Sequence, residues 1–348
     1  MDSKTPTDNR SIALQHWLIS LPEHLRIEPD TMAPASSDAS FRRYWRLKAA
    51  NHSLVVMDAP PPHENCAPFL DVTRRLSEAG VNVPKVLAYD LAQGFMLLTD
   101  LGLHTYYDQI QAGISDSELQ TLYRAALDAL VALQQAPTSG LAAFDAQRLT
   151  TELELFVQWY VQEHHNTRLS ESEQTQLDAI FRLLANTMAA EPVVLVHRDF
   201  HSPNLMVCEP SSGLASPGVL DYQDALLGPI SYDIASLVFD ARTTWEEPQQ
   251  LDWAIRYWEK GRAAGLPLPA DFAVFHQQYE WSSLQRNVRI LGVFARLHHR
   301  DGKSHYLAHL PRVLQYVRQV AGRYQPFMPL MRLLDRLQGI EPETKLTF

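Results

Sequence analysis

The stretch VHRDFHSPNLMV, Val196 to Val207, decides the reading of this chain. It has an apolar entry, a polar loop and an apolar exit. Within it His197, Asp199 and Asn204 stand in the spacing H-x-D-x-x-x-x-N. A second acid, Asp221 in VLDYQDA, follows 17 residues after Asn204. A carboxylate beside a hydroxyl can accept its proton, and an amide oxygen with a second carboxylate can hold Mg²⁺ against phosphate oxygens. These are the parts that phosphoryl transfer requires, since its catalysis is mostly positioning and charge neutralisation. The plainer reading makes Asp199 and Asn204 turn formers in an ordinary polar loop. The flanks favour a placed site: VVLV (Val193–Val196) reads as a strand leading in, and LMVC (205–208) and GVL (218–220) read as strands around the turn-rich EPSSGLASP.

Working outward, 348 residues with 46% hydrophobic content are ample for a large core, and two lobes are the natural organisation. A net charge of −10 argues against bulk binding to nucleic acid or to an anionic membrane. The two cysteines, Cys66 and Cys208, lie far apart without C-x-x-C spacing, which fits a reducing cytoplasm and excludes a disulfide scaffold. The 14 histidines include no H-E-x-x-H and read as surface or packing residues. No apolar stretch follows MDSKTPTDNR, so no secretory signal is expected, and no run is long enough to span a bilayer.

In chain order, residues 10–20 predict a leading helix. SSDASFRRYWRLK (36–48) reads as a small-residue turn and an alternating strand, and SLVVMDAP (53–60) as a second strand. A strand, small loop and strand bearing arginines can lie over phosphates; it can equally be a hairpin with solvated arginines. A helix over 67–79 and strands in VNVPKVLAYD and GFMLLTD complete a β-β-α-β-β order, after which Gly102 permits a hinge. The rest reads as helical. Capping boxes at Ser115/Glu118 and Ser170/Glu173 open two helices. Others are predicted over 151–165, 248–263, 270–298, 304–321 and 326–338, with Asp233 opening an apolar one.

This pattern, with HRDFHSPN and LDYQD, resembles the aminoglycoside-phosphotransferase branch of the protein-kinase-like superfamily over nearly the whole chain. The phrases SDASFRRYWRL, VVMDAPP, FMLLTDLG, LDYQDALLGPISYDIASL and FARLHHRDGKSHYLAHLPR resemble, more narrowly, the bacterial cell-wall amino-sugar anomeric kinases. The resemblance implies an α+β, bilobal protein-kinase-like fold, with a small β-rich N-lobe over 1–102 and a large, mostly helical C-lobe over 103–348. It implies ATP and Mg²⁺ as cofactors and an amino sugar, N-acetylmuramate or N-acetylglucosamine, phosphorylated at C1 during peptidoglycan recycling by a cytoplasmic monomer. By it, Asp199 is the catalytic base, Asn204 and Asp221 are the Mg²⁺ ligands, His197 buttresses the loop, and Asp233 steadies it by hydrogen bonds. The Thr99 carbonyl and Leu101 amide would contact adenine. The usual third-strand lysine is missing: the strand reads LVVMD, with Met57 near that place. Ser40, Arg42 and Arg43 are the residues left to meet the phosphates.

For the sugar, Arg198 in the loop and Arg286 on the helix around 281–300 offer cations suited to a lactyl carboxylate. Glu154, Trp159 and Gln285 offer polar or stacking contacts. On that helix Arg286, Arg289, Arg296 and Arg300 fall near one face, which reads equally as a solvated basic surface. Two other functions stay open: a kinase of another small alcohol such as an aminoglycoside, choline or homoserine, and a non-catalytic nucleotide-binding regulator, suggested by Met57.

Overall fold

The computed structural model describes residues 9–36, 42–61, 63–208 and 217–340. In order these form α1 (Asn9–Ser20), β1 (Ile27–Ser36), β2 (Arg43–Ala49), β3 (His52–Asp58), α2 (Ala67–Glu78), β4 (Val86–Asp90), β5 (Phe95–Thr99), α3 (Tyr106–Gln111), α4 (Asp116–Gln134) and α5 (Ala146–Leu155). A π-helix, Phe156–His164, follows α5 directly. Then come α6 (Glu171–Ala189), β6 (Val193–Val196), β7 (Leu205–Met206), β8 (Gly218–Val219), β9 (Leu226–Pro229), α7 (Tyr232–Val238), α8 (Glu247–Ala263), α9 (Phe272–His299), α10 (Leu310–Ala321) and α11 (Met328–Leu337). The chain divides into two compact units: Met1–His104 with Met206–Asp224, and Thr105–Leu205 with Ala225–Phe348. This is the expected α+β class, a strand-rich part and a mostly helical part.

The first unit is built on a five-stranded antiparallel sheet in the order β1-β2-β3-β5-β4. Leu54 and Val56 alternate onto the face that meets Leu14, Trp17 and Leu18 of α1, together with Leu47, Phe95 and Leu97. The strand β1 is absent from the order expected on sequence. Its run IEPDTMAPAS holds Pro29 and Pro34, which argue against a central strand. They are accommodated because β1 is an edge strand whose register slips twice against β2. Beyond β5 the chain is pinned by Asp100. Its carboxylate takes Arg46 Nε at 2.5 Å and Nη2 at 3.0 Å, the Ser53 hydroxyl at 2.6 Å and the Gly102 amide at 3.1 Å. Gly102 has φ +115°, a conformation that suits only glycine well.

The segment Met206–Asp224 belongs to this unit through specific contacts. The Val207 amide donates to His104 O at 2.9 Å, and the Val219 amide to Asn82 O at 2.8 Å. Tyr222 stacks on Phe69, centroids 5.1 Å apart, and its hydroxyl lies 2.8 Å from that of Thr73. These contacts hold the neighbouring Asp221 in place.

In the second unit β6 runs antiparallel to β9, with Val193 opposite Pro229 and Val196 opposite Leu226. Helices pack around this ribbon. Ser115/Glu118 and Ser170/Glu173 form reciprocal capping boxes at α4 and α6, and Thr105/Asp108 forms a third at α3. Helix α9 is the long central rod, buried without interruption from Tyr279 to Val288. At Gly292 it meets the junction of α5 and the π-helix so closely that a Cβ would stand 2.4 Å from Leu155 O. Only glycine permits that approach.

Just ahead of β6, the buried Glu191 accepts a hydrogen bond from the Ser231 amide at 3.3 Å. Burial pushes its carboxyl up to about 7, against the pull of Ser231. Such an acid stabilises the fold fully below its unfolded value, roughly 4.3, and loses that contribution as pH rises through its folded value. Relative to Glu191→Gln, the wild-type chain is expected to lose up to roughly 3 kcal/mol of stability between about pH 4 and about pH 7. Urea unfolding of both proteins across that range measures it, and a difference independent of pH would mean that Glu191 folds ionised.

Candidate active site

The loop after β6 is held from beneath by Asp233, in the first turn of α7. Its carboxylate is fully buried and accepts the backbone amides of His197 at 2.7 Å and Arg198 at 2.9 Å. Arg198 has φ +77°, the left-handed backbone that lets successive amides turn toward one acceptor. A second buried acid, Asp240, accepts the Ser202 amide at 3.0 Å and the Ser202 hydroxyl, and lies 3.7 Å from His201 Nδ1. Two carboxylates thus fix the two ends of the loop, and Asp199 stands between them.

The Asp199 side chain is 39% exposed. Burial pushes its carboxyl up, but Arg289, His201, Arg286 and Arg198 outweigh that and hold it well below the usual range. The arginines are themselves organised. Arg198 and Arg289 share Glu152, Arg198 through Nη2 and Arg289 at 3.2 Å, and Arg198 also lies over the Phe144 ring at 5.4 Å. Arg286, 2% exposed, brings Nη2 to 3.6 Å from Asp199 Oδ1.

Asn204 donates Nδ2 to the Asp199 carbonyl at 2.9 Å, which turns its amide oxygen the opposite way. In the first unit, Asp221 has φ +62° and accepts Gln223 Nε2 at 2.8 Å. Left-handed backbone at non-glycine residues is strained and concentrates at functional positions. An amide oxygen and a carboxylate are the hard donors that Mg²⁺ takes, usually alongside substrate phosphates. Among the described residues no group of three or more His, Cys, Asp or Glu is placed to hold a metal ion.

The other residues expected at the site are placed as follows. Ser40 lies outside the described residues. Arg42 pairs with Glu64 at 2.8 Å, and Arg43 with the buried Asp58 at 2.6 Å. The Thr99 hydroxyl accepts the Lys85 amide at 2.8 Å, and buried Leu101 offers its carbonyl to Cys208 Sγ at 3.5 Å. Gln285 is buried, with Nε2 donating to Leu149 O at 3.3 Å. Trp159 is half-buried on the π-helix. Glu154 lines an open groove of about 500 Å³ with Gln158, Gln174, Phe181 and Arg182. Two residues earlier, on another face of α5, Glu152 is the acid that meets Arg198 and Arg289.

Glu152 and Asp240 were missing from the expected site, and Arg289 was named only as part of a helix face that read equally as a solvated basic surface. Asp240 lies seven residues after Asp233 but beyond the end of α7 at Val238, so no helical spacing marked it. Nothing in the sequence separates Glu152 from Glu154 without the helix phase.

The sequence profile of the Phosphotransferase enzyme family matches residues 31–271. The N-acetylmuramate/N-acetylglucosamine kinase of Pseudomonas aeruginosa is 43% identical over 343 residues, 96% of this chain and 99% of the relative. The protein of the same name from Neisseria meningitidis is 41% identical, covering 97% and 99%. Among solved structures, the ADP-bound aminoglycoside phosphotransferase APH(2'')-Ib superposes with TM-score 0.58 at 13% identity, over 90% of this chain and 99% of that one. Choline kinase LicA from Streptococcus pneumoniae gives 0.58 at 10% identity, over 90% and 100%.

Replacing Asp233 by Asn sets an NH₂ group against one of the two loop amides. The cost expected for a buried unsatisfied donor is about 1–3 kcal/mol, together with a fall in turnover that exceeds any change in KM. Denaturant unfolding and steady-state kinetics read the two effects, and a variant of full stability and turnover would remove Asp233 as the anchor of the loop.

Proposed function

The chain belongs to the phosphotransferase enzyme family, and we propose that it transfers the γ-phosphoryl group of ATP to the anomeric C1 hydroxyl of N-acetylmuramate and N-acetylglucosamine. In this reading Asp199 is the base, and Asn204 and Asp221 are the residues that would hold Mg²⁺. The bound cation would neutralise phosphate charge. The two relatives reported above, alike in name and matched along nearly their whole length, support the choice of acceptor.

The observation that carries the chemistry is the setting of Asp199. A carboxylate ringed by Arg198, Arg286 and Arg289 is ionised but weakly basic. It suits an acceptor whose hydroxyl is itself acidic. An anomeric hydroxyl is more acidic than an ordinary alcohol, because the ring oxygen withdraws electron density. Positioning then supplies most of the acceleration. His197 and Asp233 hold the loop and touch no substrate. The same arginines disfavour a polycationic aminoglycoside, which wants carboxylates around it. The Thr99 carbonyl and Leu101 amide serve as backbone contacts to adenine. In this reading the protein acts as a cytoplasmic monomer in peptidoglycan recycling.

The test is incubation with ATP, Mg²⁺ and, separately, N-acetylglucosamine, N-acetylmuramate, kanamycin and choline, with ADP release recorded and the phosphate located by phosphorus NMR. A C1 phosphate on both amino sugars is expected. Phosphate on kanamycin or choline alone overturns the acceptor, and nucleotide binding without turnover favours a regulator. Asp199→Asn is expected to lower kcat by at least about 10²-fold with ATP affinity retained; an active variant removes Asp199 as the base.

A further inference from the structure

Arg286 stands apart from the other cations at Asp199. Arg198 and Arg289 have Glu152 as their carboxylate. Among the described residues, the carboxylate paired with Arg286 is Asp199, at 3.6 Å, beyond hydrogen-bond length. Its Nε and Nη1 are buried and have no acceptor among the described residues. A buried guanidinium with two idle donors is costly, and such an arrangement is completed by an anion. Nη2 is the nitrogen turned toward the base, so an anion that reaches it belongs to whatever Asp199 acts upon.

Two anions come that close in a sugar kinase: the phosphoryl group, and the carboxylate that N-acetylmuramate carries and N-acetylglucosamine lacks. The phosphoryl group is common to both acceptors.

We propose that Arg286 is a catalytic residue that binds the phosphoryl group in transfer, supplying positive charge from α9 beside Asp199. This rests on the reading of Asp199 as the base of a phosphoryl transfer. In that step the acceptor oxygen bonds to the γ-phosphorus, and the bond from phosphorus to the β,γ-bridging oxygen breaks, its electron pair leaving with ADP. The acceptor proton passes to Asp199. Arg286 donates to a non-bridging phosphoryl oxygen, where charge must be held most firmly midway.

Steady-state kinetics of wild type, Arg286→Gln and Arg286→Lys with each amino sugar test it. With Gln, kcat is expected to fall at least about 10²-fold for both sugars alike, with sugar KM values within about threefold of wild type. A rise in KM for N-acetylmuramate alone, with N-acetylglucosamine turnover intact, overturns the proposal by assigning Arg286 to the acceptor's carboxylate. Unchanged kinetics on both sugars also overturns it. If the Gln variant does not fold, the Lys variant decides through binding of ADP with aluminium fluoride, a mimic of the phosphoryl group in flight. The proposal requires at least about tenfold weaker binding of that complex with ADP alone bound as in wild type; equal affinity overturns it. A wild-type protein that phosphorylates neither sugar fails the functional reading itself, and is seen before any variant is compared.

Discussion

The site depends on one buried carboxylate meeting two consecutive backbone amides. Asp233 is fully buried, and a bare carboxylate there would be expensive. It is tolerated because the His197 and Arg198 amides point at it, and those amides are oriented because Arg198 adopts a left-handed backbone. Each condition explains the other. The strand β6 delivers the chain to this point, α7 delivers the acid, and the β6–β9 pairing fixes the offset between them. Asp199, the next residue, is thereby aimed by its backbone, with Arg286 of α9 the ion-pair partner among the described residues. A catalytic group set in this way stays partly open to a reactant while its backbone is immobile.

Charge around Asp199 follows a second constraint. Three arginines gathered near one carboxylate would repel one another in a dry interior. Glu152 relieves this by bridging Arg198 and Arg289, so the local sum is close to balanced: two acids, three cations, with Arg286 as the excess. The surrounding cations, Arg289 first and Arg286 among them, are what make Asp199 a weak base. The excess charge at Arg286 is also what makes the site attractive to an incoming anion. Basicity and anion affinity are traded against each other by one cluster of residues, which suits a reaction whose acceptor is acidic and whose other reactant is polyanionic.

Much of this was legible in the sequence, for physical reasons that can be named. H-x-D-x-x-x-x-N between two apolar runs specifies a loop between strands, and Asp233 at the head of an apolar helix has no reason to be there unless something satisfies it. Capping boxes announce α4 and α6 because the chemistry is local. The strand β1 was hidden because its prolines break the local rule, and only its edge position excuses them. On α9 the spacing of Arg286 and Arg289 was visible, but a solvated basic face has the same spacing. Burial tells the two apart, and burial is set by α5 and the π-helix packing over Gly292, far away in sequence. Glu152 and Glu154 likewise differ only in helix phase, and no sequence pattern distinguishes the acid that bridges two arginines from the one that lines an open groove.

The third strand shows why Met57 is no simple loss. Its cross-strand neighbours are Tyr44 and Met96, and the next residue, Asp58, is buried with Arg10 and Arg43 as its counter-charges. An ammonium at position 57 would need a carboxylate of its own. The acids of α2 do not supply one: Asp71 and Glu78 hold the exposed Arg74, and Asp71 also takes the buried Arg75. Where α2 turns inward it presents Thr73, whose hydroxyl meets that of Tyr222, the residue after Asp221. The helix therefore fixes the second acid by a neutral contact and an aromatic stack instead of an ion pair. The first unit thus positions Asp221 through neutral groups and keeps its own arginines bound to its own carboxylates.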